Sequence, residues 1–409
     1  MSKKGFLLLV VLGILLRLLL AASTLHPDLA SIISSSSLLY REKVLNIYDY
    51  LQNAPDNNLV VQSYGRRFFT YPPLAYFLLG GLGFLFSPFV GKEVFIKLLS
   101  GPVAFAGLGF NLSLLALKLP YLIFDLLVLF FLRKMFSDEK KRFWVSLLWW
   151  FNPVAIYASY MVAQFEIIPL FFVIFSLWAH LAGLGILGVV LLGLGAGLKM
   201  FPLFFLLPLA FLSFKTVFNR LKAIVIGIGV YLLTILPFST SSAFRENVLF
   251  SNQSQKMFFA QLPVSGAEGI YIFIFLFCLI CYYAFYDKNI IHLSNYYLFI
   301  LLAFFSVTHF HPQWFLWVTP FLIINLVESK MQTWPMAIMM LFSWLGITLL
   351  FEPSLSIGLF APLSKNLLQA KGLVGVMPLA FDAFMVKSIL RSIFAASSLF
   401  LVIFSFKDE

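Results

Sequence analysis

The sequence predicts an all-α polytopic membrane protein, and three observations support that class. Of the 409 residues, 61% are hydrophobic and only 11% are charged, whereas soluble domains carry about 25% charged residues. The mean hydropathy is +0.97. Apolar stretches that approach the roughly 20 residues needed by a membrane-spanning helix recur along the whole chain. Lipid is therefore expected to be the solvent for much of the surface.

The candidate spans can be placed in chain order. Their approximate boundaries are 5–24, 119–133, 143–157, 165–180, 183–197, 202–214, 221–238, 270–285, 296–308, 314–327, 335–351 and 386–404. The first stretch resembles a signal peptide, but because further spans follow it, we expect an uncleaved helix. Residues 72–116 form either two more spans or interfacial helices, so the predicted bundle has 12–14 transmembrane helices.

Basic residues in the short connections predict the orientation of the bundle. Lys3 and Lys4 precede the first span, and further lysines and arginines cluster at 133–142 and 215–222. Cytoplasmic loops carry an excess of such residues, so both termini are expected inside the cell. We therefore predict a single transmembrane domain, residues 1–409, located in the cell membrane. Its predicted extracytoplasmic loops are a long first loop at about 25–118 and further loops at about 239–266 and 352–385.

The net charge of +11 does not indicate nucleic-acid binding, because the basic residues are scattered between apolar stretches and form no basic stripe. Cys278 and Cys281 lie in an apolar run and are interpreted as small hydrophobic residues, since a zinc site would need further ligands. His309 and His311 are two positions apart and do not share a helix face. Neither a metal nor another cofactor is predicted.

Asp28 is the candidate catalytic residue. It follows the first span almost directly, so its carboxylate is expected at the membrane surface, near the phosphate of a lipid-borne substrate. An inverting glycosyl transfer needs a base that takes a proton from the acceptor hydroxyl, and an aspartate can be that base. The alternative is a solvated carboxylate that caps the next helix. His26 lies two positions earlier and is a candidate supporting residue.

Basic and amide side chains on the same predicted face are candidates for binding phosphate. Arg66 and Arg67 precede Tyr71, whose following prolines fix an extended entry into an apolar helix. Arginine binds phosphate through forked hydrogen bonds, and the alternative is a headgroup anchor. Lys199 follows a glycine-rich span, and its alternative is a snorkelling side chain. The candidate donor- and phosphate-binding residues are Arg66, Arg67, Lys199, His311 and Gln313.

Further polar residues near span ends are candidates for supporting the site, together with Tyr71. Asn152 stands before a proline that breaks a helix, and Gln164 and Glu166 open the next helix. An acid there also suits the positive end of the helix dipole, which is the alternative interpretation of Glu166.

Two charged residues lie inside predicted spans. Arg17 and Asp125 are both surrounded by apolar sequence. A charge at membrane depth usually faces protein or water. We therefore expect Asp125 to pair with Lys118 or with a donor from another span.

Four short segments carry a resemblance to a known superfamily. They are RFFTYPPLA at 67–75, WFNP at 150–153, LKMFPL at 198–203 and QWFLW at 313–317. In these segments and their order the chain resembles the GT-C membrane glycosyltransferases. It is most similar to the glycosylphosphatidylinositol mannosyltransferase I type and to prokaryotic polyprenol-phosphate mannosyltransferases. The resemblance implies a GT-C-like bundle, an outward active site, an inverting transfer and a catalytic acid in the first outer loop.

Asp28 is the position that matches this acid. The mannosyltransferase I type has a paired Asp-x-Asp, whereas this chain has Asp28 alone, preceded by His26 and Pro27. A single carboxylate favours chemistry without a metal ion.

The predicted function is an inverting glycosyltransferase that moves a hexose, with mannose expected first, from a polyprenyl-phosphate donor to a lipid or glycan acceptor outside the cell. The alternative is a transporter or lipid flippase, in which internal repeats and helices broken near the midplane are common. A non-catalytic membrane scaffold is the third interpretation.

Overall fold

The computed structural model describes residues 3–99, 107–287, 293–377 and 382–407. Within these ranges the chain is mostly helical, and one two-stranded hairpin is the small departure from the predicted all-α class. Residues 100–106 of the first predicted outer loop and 378–381 of the last one lie outside the described residues.

The helices and strands follow one another in this order. The first part contains α1 (Lys3–Ser23), α2 (Ala30–Ser36), α3 (Ile47–Asn53), α4 (Leu59–Tyr64), α5 (Pro73–Phe86) and α6 (Lys92–Leu99). The middle part contains α7 (Leu108–Lys134), α8 (Glu139–Trp150), α9 (Pro153–Ile156), α10 (Ile167–Leu181), α11 (Gly185–Ala196), α12 (Leu206–Ser213), α13 (Val217–Ile235), α14 (Ser242–Phe244) and α15 (Asn252–Gln255). The last part contains β1 (Gln261–Ser265), β2 (Glu268–Tyr271), α16 (Ile272–Tyr286), α17 (Leu293–Val307), α18 (Thr319–Glu328), α19 (Trp334–Leu349), α20 (Leu373–Val376) and α21 (Ala383–Lys407).

Three of the described helices are long and apolar enough to cross a membrane, namely α7, α21 and α13 with its following turn. A fourth candidate is a pair bent by 92°, Leu7–Ser23 with Pro27–Arg41. Seven shorter apolar helices accompany them. Each of the twelve predicted spans coincides with helix in the structure, although several of these helices are shorter than a bilayer requires.

Local sequence explains several helix starts and one close helix contact. The side chains of Asn46, Asn58 and Thr216 accept hydrogen bonds from backbone N–H groups in the first turns of α3, α4 and α13, which is the ordinary role of an N-cap. Glycine brings α11 against α13, because a Cβ on Gly193 would lie 2.6 Å from the carbonyl oxygen of Gly227. Small residues commonly permit such packing in membrane bundles.

The start of α7 differs from the prediction. Lys118 was expected in an outer polar segment, but α7 begins at Leu108 and Lys118 is fully buried inside it. Its ammonium donates to the carbonyl oxygens of Thr24 at 2.7 Å and Tyr160 at 2.9 Å. The prediction was wrong because these acceptors, which compensate the buried charge, come from distant segments. The segment predicted as the first outer loop therefore ends before residue 118, and its described residues contain the five helices α2 to α6.

A buried ion pair connects α1 with α7. Arg17 Nε donates to Asp125 Oδ2 at 2.7 Å, and both side chains are almost completely buried. Trp149 Nε1 and Tyr160 OH donate to the same carboxylate at 2.7 Å and 2.8 Å. Arg17 also donates to the carbonyl oxygen of Trp150 at 2.7 Å. The expectation that both charges face protein is confirmed, and the partner of Asp125 is Arg17 rather than Lys118.

Candidate functional site

A cavity of about 540 Å³ lies where polar segments from distant parts of the chain meet. Its walls come from the turn after α1, the segment before α5, the segment before α10, the connection between α11 and α12, the α15 region, the turn after α17 and the segment after α19. Eight of the eleven predicted site residues line it, and they are His26, Asp28, Arg67, Tyr71, Gln164, Lys199, His311 and Gln313.

Asp28 presents a carboxylate to this cavity without a strong partner. It lies in the 3-10 turn Pro27–Leu29, and its side chain is 29% exposed. Its nearest ionisable neighbour is His26, whose Nδ1 lies 3.5 Å from Asp28 Oδ2. That nitrogen accepts the Asp28 backbone N–H at 3.2 Å, so it has no proton for the carboxylate. Among the described residues, no side chain or backbone group donates a hydrogen bond to the Asp28 carboxylate, and no lysine or arginine forms an ion pair with it.

Burial lowers the pKa of His26, and Asp28 and Glu352 only partly oppose this effect. The imidazole is therefore neutral at neutral pH and carries its proton on Nε2 when Nδ1 is an acceptor. A neutral His26 fixes the backbone of Asp28 and does not neutralise its charge.

Lys199 is held deep in the cavity wall. Its ammonium forms an ion pair with Glu166, and Trp317 Nε1 donates to the other Glu166 oxygen at 2.6 Å. The same ammonium lies 5.2 Å from the ring centre of Trp314 and 5.6 Å from that of Tyr71. These contacts are typical of cation–π interactions. Glu166, which does not line the cavity, thus fixes Lys199 from behind.

Aromatic rings form one wall of the cavity. Phe201 stacks on Trp317 with ring centres 4.2 Å apart, and Trp317 stacks on Trp314 at 5.3 Å. All three side chains line the cavity. A flat apolar wall of this kind can pack against the C–H face of a sugar ring or against a prenyl chain.

Two amide side chains bring unpaired acceptors to the cavity wall. Gln164 Nε2 donates to Tyr71 OH at 2.8 Å, while Gln164 Oε1 and Gln313 Oε1 are buried and have no hydrogen-bond partner among the described residues. Buried polar atoms normally have partners. Both oxygens can therefore accept hydrogen bonds from hydroxyl or amine groups of a ligand.

Three predicted residues lie outside the cavity lining, namely Glu166, Arg66 and Asn152. Arg66 pairs with Asp56 at 2.6 Å and donates to the carbonyl oxygen of Ala54 at 2.5 Å. The guanidinium of Arg66 thus holds the end of α3, and the structure does not bring it together with the other candidates for phosphate binding. Asn152 caps α9 by accepting from Val154 N at 2.9 Å, so it supports the fold rather than a ligand.

Arg67, by contrast, lines the cavity and is 77% exposed. Its only described ion pair is a long one, 3.8 Å from Glu246. An exposed pair at that distance is weak, and Arg67 remains available to an anion.

The two histidines after α17 are neutral at physiological pH. Burial and the nearby Lys256 lower the pKa of His309 to about 4 and that of His311 to about 3. His311 lines the cavity, where it can donate one neutral hydrogen bond but adds no positive charge.

Glu352, which lines the cavity, and Lys256, which lies behind the cavity-lining Trp314, are the residues that sequence reasoning missed. Lys256 is buried, lies 4.8 Å above the ring centre of Trp314, and has no carboxylate partner in the described ranges. Burial, with repulsion from Lys199 and Arg391, lowers the pKa of Lys256 to about 8. Glu352 is a second carboxylate in the cavity lining. Both residues lie in segments predicted as long outer loops, where sequence position gives little indication of spatial neighbours.

The described residues contain no group of three or more His, Cys, Asp or Glu side chains that could hold a metal ion. Cys278 and Cys281 are free thiols on α16. The cationic groups of the cavity are thus lysine and arginine side chains.

No model of a known protein family, no curated protein and no solved structure matches this chain.

Proposed function

We propose that the chain is an inverting glycosyltransferase of the GT-C kind, which moves a hexose from a polyprenyl-phosphate donor to a lipid or glycan acceptor. One observation carries the proposal: a carboxylate without a strong partner, Asp28, shares a cavity with Arg67 and Lys199 and with an aromatic wall. These are the parts that such a reaction needs, namely a base, phosphate-binding cations and a surface for sugar or prenyl chain.

In the proposed reaction Asp28 takes the proton of an acceptor hydroxyl. At the same time, the oxygen of that hydroxyl attacks the anomeric carbon of the donor. The bond from that carbon to the phosphate oxygen breaks, and polyprenyl phosphate leaves with the electron pair. Its gain in negative charge is stabilised by cations at the cavity. Lys256 is added to this group, because it is buried without a carboxylate partner in the described chain, whereas Lys199 is already paired with Glu166.

The packing around the cavity favours a transferase over a transporter. The turn that carries Asp28 follows Thr24, whose carbonyl oxygen is held by the buried Lys118. Tyr160 links this contact to the Arg17–Asp125 pair, since it binds both Lys118 and Asp125. A solute path through this region would have to break a buried, hydrogen-bonded layer, which is costly.

The proposed setting is a bundle of 12–14 spans in the cell membrane with the cavity on the outer side. The four longer candidates and six of the seven shorter apolar helices coincide with ten of the twelve predicted spans, and α8 and α18 coincide with the other two. The basic clusters at 133–142 and 215–222 support a cytoplasmic position for the opposite end.

Incubation of the purified protein with polyprenyl-phosphate mannose and, separately, with polyprenyl-phosphate glucose tests the function. The expected result is consumption of one donor, with release of polyprenyl phosphate and a product of inverted anomeric configuration. Uptake of a labelled solute into proteoliposomes with neither donor consumed would favour the transporter instead.

The pH dependence of donor binding tests the role of Lys256. Because its pKa is about 8, the ammonium is charged below that pH and loses its charge above it. We expect donor affinity to fall as the pH rises through about 8. His309 and His311, with pKa values of about 4 and 3, stay neutral over this range, and the donor phosphodiester does not titrate there.

A binding titration of the parent protein and of Lys256→Gln checks this prediction. The variant should bind the donor more weakly at low pH and should lose the step near pH 8. A step of the same size in the variant would assign the titration to a group other than Lys256.

A further inference from the structure

The β1–β2 hairpin exposes apolar side chains that nothing in the described chain covers. Leu262 and Ile270 stand opposite each other in the register and are 57% and 47% exposed. Val264 is 64% exposed, and Phe259, just before β1, is 62% exposed. A two-stranded hairpin is marginally stable by itself in water, and an exposed apolar edge promotes aggregation.

The position of the hairpin indicates what covers it. Its base is closed by a hydrogen bond from Ile272 N, the first residue of α16, to the carbonyl oxygen of Ala260 at 3.0 Å. The apolar helix α16 continues directly from β2 and exposes Phe275 and Leu279 along its length. The hairpin surface is thus continuous with the apolar surface of α16.

The composition of this segment points to lipid rather than to a water-facing partner. From residue 257 to residue 286 the chain contains one charged side chain, Glu268. Phe258 packs edge-on against Tyr271 at 5.1 Å where the hairpin joins α16. Aromatic side chains concentrate where a membrane meets water.

We infer that the hairpin is an interfacial membrane anchor that inserts Leu262, Val264 and Ile270 among lipid headgroups and upper acyl chains. Open sheet edges are not found in the hydrocarbon region, where their backbone groups would lack partners, so the insertion is shallow. Glu268 and the Gly266 turn stay in the headgroup layer. The inference does not depend on the proposed enzymatic activity.

The anchor also lies beside the cavity. Met257 lines the cavity and precedes β1 by only a few residues, and Ser254 lines the same wall. A membrane-bound hairpin would therefore keep this wall at the lipid surface, where a lipid-borne substrate arrives.

An environment-sensitive fluorophore at position 262 tests the anchor. In a Cys278→Ala, Cys281→Ala background, Leu262→Cys is labelled with nitrobenzoxadiazole and the protein is reconstituted into phosphatidylcholine–phosphatidylglycerol vesicles. The matched control is Asn366→Cys, an exposed polar position in the loop that contacts the segment after α1 through Leu359 and Leu25. The expected result at position 262 is emission at shorter wavelength than at position 366. Lipids carrying a doxyl group near the headgroup should quench this emission more strongly than lipids carrying it deep in the chain.

Two results would overturn the inference. Iodide in the aqueous phase could quench the two positions equally with no effect of doxyl lipids, which would place the hairpin in water. Alternatively, doxyl lipids could fail to quench the emission at position 262, and this emission could depend on the ratio of protein to lipid. That result would mean that the hairpin contacts a second copy of the chain.

Discussion

Asp28→Asn is expected to reduce sugar transfer by roughly a hundredfold to ten-thousandfold, the usual contribution of a positioned general base. The amide has nearly the same shape as the carboxylate but cannot take the acceptor proton. Because Asp28 is partly exposed and lies at a cavity wall, we expect the fold to survive the change. The measurement is the initial rate of donor consumption, together with donor binding, which should change much less than the rate.

Glu352→Gln is the matched control for this change. Glu352 is the other carboxylate in the cavity lining, and its replacement should leave most of the activity. If Glu352→Gln stopped the reaction while Asp28→Asn did not, the base would be Glu352 and the proposed mechanism would have to be rewritten. Full activity in both variants would remove carboxylate base catalysis altogether.

Arg17→Met is expected to lower the free energy of unfolding by about 3 to 5 kcal/mol, the usual cost of leaving one partner of a buried ion pair without the other. Arg17 and Asp125 are both almost completely buried, so solvent cannot compensate the remaining carboxylate. Trp149 and Tyr160 still donate to Asp125, which limits the loss. Denaturant unfolding in lipid–detergent micelles, followed by tryptophan fluorescence, measures it.

The double variant Arg17→Met, Asp125→Leu provides the comparison. Its loss of unfolding free energy should be smaller than the sum of the losses in the two single variants, because no isolated charge remains. Strict additivity would mean that the two side chains do not stabilise each other. The same variants, assayed for donor binding, would show whether the pair also supports the cavity.

Periodicity and loop charge predicted much of this site because sidedness restricts which segments can meet. Asp28 follows the first span, while Lys199 and His311 lie at the ends of later ones. Alternation of the spans alone assigned all three to one face, and the structure brings them to one cavity. The helix break before Pro153 was equally readable, because an Asn–Pro pair caps and interrupts helices.

Other features depended on tertiary contacts that a linear pattern does not contain. Adjacent arginines look equivalent in sequence, yet Arg66 holds the end of α3 whereas Arg67 reaches the cavity. Lys118 appeared to be an outer residue because its carbonyl acceptors are contributed by Thr24 and Tyr160. Lys256 was one basic residue among several in a long loop, and only its packing over Trp314 distinguishes it.

The hydrogen bonds from Lys118 to Thr24 determine which side of the cavity can move. Lys118 donates to both the carbonyl oxygen and the hydroxyl oxygen of Thr24, at the end of α1. The turn that carries Asp28 therefore begins at a fixed point. Closure around a substrate is then expected at another wall of the cavity, the one that contains α15, a helix of only four residues. Asp28 would stay in place while the wall that contains α15 moves. Substitutions in α15 should therefore alter the rates of substrate entry and product release more than the rate of bond cleavage.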